Sequence, residues 1–143
     1  MATATRFNCF LHDLAQKKHN LATDDIRIAL SNTAPDLAAD TGFTDITEIA
    51  AGNGYTAGGF ALPGQTLTQV TNQTRLSGAD TAGVVAASGG DIGPFQYVVI
   101  YNNTEAGKAL IQMVDLGSPI TVTDGTSRDL NMQSTNDALL TIG

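Results

Sequence analysis

From Phe60 onward, short apolar or Thr-rich runs are broken by Gly, Asn, Asp or Pro at intervals of about 8–12 residues, the spacing of strands in a sandwich or barrel. Phe60 to Leu62 stops at Pro63-Gly64. Gln65 to Thr71 and Thr74 to Ala79 flank Asn72-Gln73, the pattern of a hairpin. Val84 to Ala87 ends at Ser88-Gly89-Gly90-Asp91. Pro94 to Tyr101 is apolar at odd and even positions alike, which places it at the centre of a sheet, and Lys108 to Leu116 pairs back on it across the turn Asn102 to Gly107. Ile120 to Thr123 and Arg128 to Gln133 flank Asp124-Gly125 as a second hairpin, and Ala138 to Ile142 closes the series.

The first third of the chain is different. Phe7, Phe10, Leu11 and Leu14 recur at helical spacing, which predicts a helix over residues 7–20. Lys17 and Lys18 suit its last turn, Asn20 its C-cap, and Thr3 or Thr5 its N-cap. Residues 1–6 read as a flexible arm. In Asp25 to Ser31, Ile26, Ile28 and Leu30 alternate with Arg27 and Ala29, as in a half-buried strand that ends at Pro35. Thr44 to Ile49 reads as a short helix, and residues 51–59, with Gly52, Gly54, Gly58 and Gly59, as a loop. The expectation is one domain over residues 1–143, mainly β, an antiparallel sandwich or barrel with one N-terminal α-helix and strands across 24–143.

Composition narrows the function. A chain of 143 residues buries about two-thirds of its unfolded surface without help from disulfides, and the single Cys9 cannot form an internal one. The net charge of −7 argues against direct nucleic-acid binding, which needs clustered Lys and Arg. No stretch approaches the ~18 apolar residues of a membrane span, and the polar start lacks the order of a secretory signal. Synthesis in a cytoplasm follows as the expectation. Charged residues are only 15%, where about 25% is usual. A Thr-rich, weakly charged face (Thr66, Thr68, Thr71, Thr74) serves a subunit interface, a carbohydrate contact or plain solvent, and composition alone does not choose.

No motif carries catalysis. Gly52-Asn53-Gly54-Tyr55-Thr56-Ala57 matches a dinucleotide fingerprint in letters, but Gly58-Gly59 follow where a helix must begin. Its structural reading is a loop whose glycines supply positive φ and whose Tyr55 anchors it to the body. Cys9, His12, Asp13 and His19 lie close in sequence, yet no second Cys or third His completes a zinc site, and Cys9 reads as a small buried hydrophobe. No nucleophile elbow is present. Of the 14 acidic residues all but Glu48 and Glu105 are Asp, many at turns, where backbone hydrogen bonds account for them. No enzyme activity, metal or cofactor is expected.

Four segments, taken together, resemble a family of small virion structural proteins of tailed bacteriophages. They are Phe7-Asn-Cys-Phe-Leu-His-Asp-Leu-Ala15, Ile28-Ala-Leu-Ser-Asn-Thr-Ala-Pro35, Asp45-Ile-Thr-Glu-Ile-Ala-Ala-Gly-Asn-Gly-Tyr-Thr-Ala-Gly-Gly59 and Gly93-Pro-Phe-Gln-Tyr-Val-Val-Ile-Tyr-Asn102. Lys108-Ala-Leu-Ile111 and Asp115-Leu-Gly117 extend the likeness. The resemblance implies a β-rich, non-enzymatic part of the virion, of head decoration or cement type, that binds the major capsid protein and copies of itself on the outer surface of the head. A tail, neck or baseplate component and a receptor- or carbohydrate-binding module are the alternatives; the absence of Trp speaks against the last. The interface candidates are Ala2, Thr3 and Arg6 in the arm and Gly52, Asn53, Gly54, Tyr55, Gly58, Gly59 and Phe60 in the loop. For the loop, shaping the monomer is an equal alternative.

Overall fold

The computed structural model of the chain describes residues 3–79, 84–130 and 139–142. In chain order the elements are β1 (Thr3–Arg6), α1 (Cys9–Ala15), β2 (Ile26–Ser31), a 3-10 turn (Phe43–Asp45), β3 (Phe60–Ala61), β4 (Thr66–Val70), β5 (Gln73–Ser77), β6 (Val84–Ala86), β7 (Ile92–Asn102), β8 (Leu110–Val122), β9 (Ser127–Asp129) and β10 (Leu140–Ile142). They form a five-stranded sheet in the order β1-β8-β7-β2-β3, a three-stranded sheet β10-β5-β4 and a pair β6-β9. All pairings are antiparallel. The fold is therefore mainly β with one helix near the N-terminus, as the turn spacing and the apolar stripe predict.

The core follows from register. Ile28 sits opposite Ile100, and Leu30 opposite Val98, which in turn faces Val114. These residues share one cluster with Phe10 of α1, Leu76 and Leu140 of the three-stranded sheet and Val85 of the pair. The smaller sheets and the helix thus close over one face of the large sheet. On its other face Ala29, Val99, Tyr101 and Met113 pack with Phe7, Leu37, Phe43 and Ile46. Each large side chain removed from water in this way contributes about 1.5–3 kcal/mol. Pro94 to Tyr101 lies centrally, as its two apolar faces require.

Several expectations are corrected. β2 is not half-buried: Ala29 and Ser31 are as fully buried as Ile28, because residues 37–46 cover the second face. Residues 3–6 are not a flexible arm. Thr3–Arg6 pairs with Gln112–Asp115, where Thr favours the strand and the backbone satisfies the edge of β8. This also removes Thr3 and Thr5 as helix caps; Asn8 precedes the helix and makes no side-chain cap. The helix does not span residues 7–20. Lys17 takes the left-handed conformation expected of Asn20, and the Lys18 N–H closes on the Asp13 carbonyl at 3.0 Å.

Inside that short helix the inward face runs through Phe10, Asp13 and Leu14, at offsets of three and four. Asp13 is buried and pairs with Lys18 at 3.2 Å, whereas Leu11, counted in the apolar stripe, is 49% exposed. Leu11→Ala is accordingly expected to change unfolding free energy by no more than about 0.5 kcal/mol, read from urea midpoints.

Thr44 to Ile49 does not make a helix. The chain turns once at Phe43–Asp45, where the Asp45 carboxylate accepts the Thr41 and Gly42 N–H groups at 3.0 and 3.2 Å. Those bonds hold its pKa below the usual range. The segment then extends beside β2, Ser31 bridging Glu48. The β4–β5 hairpin forms as expected, with its turn at Thr71-Asn72, one residue early. The second hairpin does not: β9 pairs with β6, while Ile120 of β8 pairs with Phe95. Asp124-Gly125 therefore links two sheets: β8 pairs with β7 up to Val122, and the chain beyond it joins β6. Residues 131–133 of that expected strand lie outside the described residues, as does Ala138.

Candidate functional site

The glycine-rich segment is built as two small turns around one buried tyrosine. Gly52 and Tyr55 exchange backbone hydrogen bonds at 2.8 and 3.0 Å. Between them Asn53 and Gly54 both have positive φ (59° and 103°), the conformation that Asn-Gly favours in a two-residue turn. The Tyr55 side chain drops into the body, 4% exposed. Its hydroxyl accepts the Leu30 N–H at 3.0 Å and donates to Glu48 Oε2 at 2.6 Å. The same Glu48 oxygen accepts the Gly58 N–H at 2.7 Å, and the Tyr101 hydroxyl donates to the Gly58 carbonyl. Phe43 stacks on Tyr101 with ring centroids 4.1 Å apart.

Burial and the Glu48 hydrogen bond push the Tyr55 phenol far above its ordinary pKa, and burial raises that of Tyr101. Both remain neutral donors. Their role here is to pin a loop to β2 and β7, as the anchoring reading of Tyr55 predicts.

The loop does not stand alone. The Asn53 carbonyl accepts the Ser88 N–H at 2.9 Å, and Asn53 Nδ2 donates to the Asp91 carbonyl at 2.9 Å. Asp124 accepts the Gly89 N–H at 2.9 Å through Oδ1, and Asp91 accepts the Asp124 N–H at 2.8 Å. Residues 51–57, 88–91 and 123–126 thereby form one knitted tip. It exposes Gly52, Asn53, Gly54, Ser88, Gly89, Thr123, Gly125 and Thr126, and Asp91 and Asp124 are its only charged residues. Sequence reasoning recognised Gly89-Gly90 and Asp124-Gly125 as turns but had no signal that they meet the first loop.

The interface candidates divide accordingly. Gly52, Asn53 and Gly54 are exposed on the tip, whereas Gly58 and Phe60 are half-buried. Tyr55 and Gly59 are buried and cannot meet a partner; they shape the monomer. Thr3 and Arg6 are exposed, but on an edge strand. That edge pairs with β8 at Asp115, seven residues before the tip end at Val122, about 20 Å along the strand. Arm and loop are thus separate surfaces. Ala2 lies outside the described residues.

Gly52 to Ala57 has neither the strand before it nor the helix after it that a dinucleotide site needs. Cys9 is half-buried, with its sulfur 3.9 Å from the carbonyls of Asp40, Thr41 and Leu110. Burial and Asp13 raise its pKa, which disfavours the thiolate. Among the described residues no three His, Cys, Asp or Glu side chains converge to hold a metal ion, and no helix is long and apolar enough to cross a membrane. Comparison of the chain with protein-family models, curated proteins and solved structures finds no match.

Proposed function

We propose that this chain is a structural protein of a tailed-bacteriophage virion, a head decoration or cement protein that binds across neighbouring major-capsid subunits from outside. The observation that carries the reading is the set of four resembling segments. Three of them supply the node that holds the tip: Leu30 from the second, Glu48, Tyr55 and Gly58 from the third, Tyr101 from the fourth. Residues that occur together in the resemblance are thus residues that work together in the fold.

The remaining support is physical. A tip of small, weakly charged residues suits close packing on another protein. A net charge of −7 is better tolerated on the outside of a DNA-filled shell than within it. Occupancy of many equivalent joints, by this chain and copies of itself, stabilises a closed shell by mass action.

Quantitative mass spectrometry of purified particles tests this. A copy number comparable with that of the major capsid protein is expected. Absence from the particle overturns the virion reading, and a handful of copies set by tail symmetry replaces the head by the tail, neck or baseplate.

A further inference from the structure

Asn102 ends β7 and is fully buried. Its Oδ1 accepts the backbone N–H groups of Thr104 and Glu105 at 2.9 and 3.2 Å, which fixes the direction of the amide. Nδ2 is therefore the atom that faces the connection between α1 and β2. One of its two protons goes to Asp24 Oδ2 at 2.6 Å, and the other is shared between His19 Nδ1 at 3.1 Å and the Lys18 carbonyl at 3.3 Å.

An amide NH₂ cannot accept a hydrogen bond, so Nδ1 must be the acceptor and carry no proton. The ring proton then sits on Nε2, the tautomer logic of a histidine whose other nitrogen is engaged. His19 is 6% exposed, its ring centroid is 5.3 Å from that of Phe10, and Nε2 is buried without a hydrogen-bond partner among the described residues. The charged groups acting on the ring are Asp13 of α1, Lys18 just after it, Asp24 before β2, and Glu105 in the β7–β8 turn, while Lys17 lines the same groove. Loss of water disfavours the charged ring more than the three carboxylates favour it, so its pKa lies below the ordinary histidine value.

From this geometry we infer that the His19–Asn102 contact is an acid-released latch between the α1–β2 connection and the end of β7. A proton arriving at Nδ1 sets two donors against each other. Asn102 cannot turn to offer Oδ1, which two backbone amides already hold. Residues 16–25 then lift from β7. That widens the existing groove of about 530 Å³, lined by Leu14 and Leu21 together with Leu67 and Ile142 of the three-stranded sheet. The latch stands independently of the virion reading.

The sign follows from linkage. In the released state His19 titrates near about 6.5, and in the closed state lower. The closed state is therefore fully favoured above that pH, and its advantage falls by up to about tenfold per pH unit as pH drops below it.

The test is amide hydrogen exchange of residues 16–25 between pH 7.5 and 5, corrected for the intrinsic pH dependence, in the native chain and in His19→Asn. The Asn Oδ1 replaces Nδ1 as acceptor and does not titrate. Opening of this segment is expected to rise steeply with acid in the native chain and to stay flat in the variant. Equal pH responses overturn the latch. Nitrogen-15 spectra of the native chain decide the matter even if the variant does not fold. The Nε2–H tautomer with titration below the ordinary value supports the latch; the Nδ1–H tautomer, or titration at or above that value, overturns it.

Discussion

Gly59→Ala is expected to prevent folding, or to cost at least about 3 kcal/mol where folding survives. Gly59 has φ +80°, and a Cβ there would lie 2.0 Å from the Ile28 carbonyl oxygen. That oxygen belongs to β2, which is held on one side by β7 and on the other by β3, so the backbone has nowhere to go. Gly52→Ala is the control. Its φ is also positive, at +129°, but its Cβ would meet nothing within 4 Å. Only conformational strain of about 1–2 kcal/mol is expected there. Urea denaturation of both variants separates the clash from the strain, and equal losses would remove the close approach as the cause.

Tyr55→Phe carries the second large effect. The ring still fills its site, but the Leu30 N–H and the Glu48 carboxylate lose their shared partner inside the protein. Leaving the buried Leu30 donor unpaired, and the Glu48 carboxylate with only the Gly58 N–H, costs about 2–3 kcal/mol. Tyr101→Phe removes one bond, to the Gly58 carbonyl, and is expected to cost about 1 kcal/mol. Denaturant midpoints with unchanged slopes give both values, and a Tyr55→Phe loss no larger than that of Tyr101→Phe would show that the node is not centred on Tyr55.

What was legible in the sequence was local. The two apolar faces of residues 94–101 place β7 at the sheet centre whatever its partners are, and Asn53-Gly54 and Gly58-Gly59 announce turns by their conformational freedom. Pairing over distance was not legible. Nothing in Thr3–Arg6 says that it adds to β8 and not to solvent, because an exposed strand and a polar arm have the same composition. Asp124-Gly125 looks the same whether it joins neighbours in one sheet or crosses between two. Leu11, expected on the stripe, is exposed while Asp13 is buried, because helical spacing identifies a stripe only when the helix is long enough to average over it, and α1 has 7 residues. The candidate site was half-visible for a similar reason: one of its three loops carries an unusual composition, while the other two are ordinary turns whose meeting depends on β7 and β8.

The pairing of β1 with β8 sets an order of events during synthesis. Thr3 and Asp115 are partners, so the first strand emerges from the ribosome 112 residues (115 − 3) ahead of the strand it joins. At about 5–20 residues per second, that is a wait of roughly 6–22 s with backbone amides and carbonyls unspent. β2 waits similarly for β7. β1 thus docks onto a template that is made well after it.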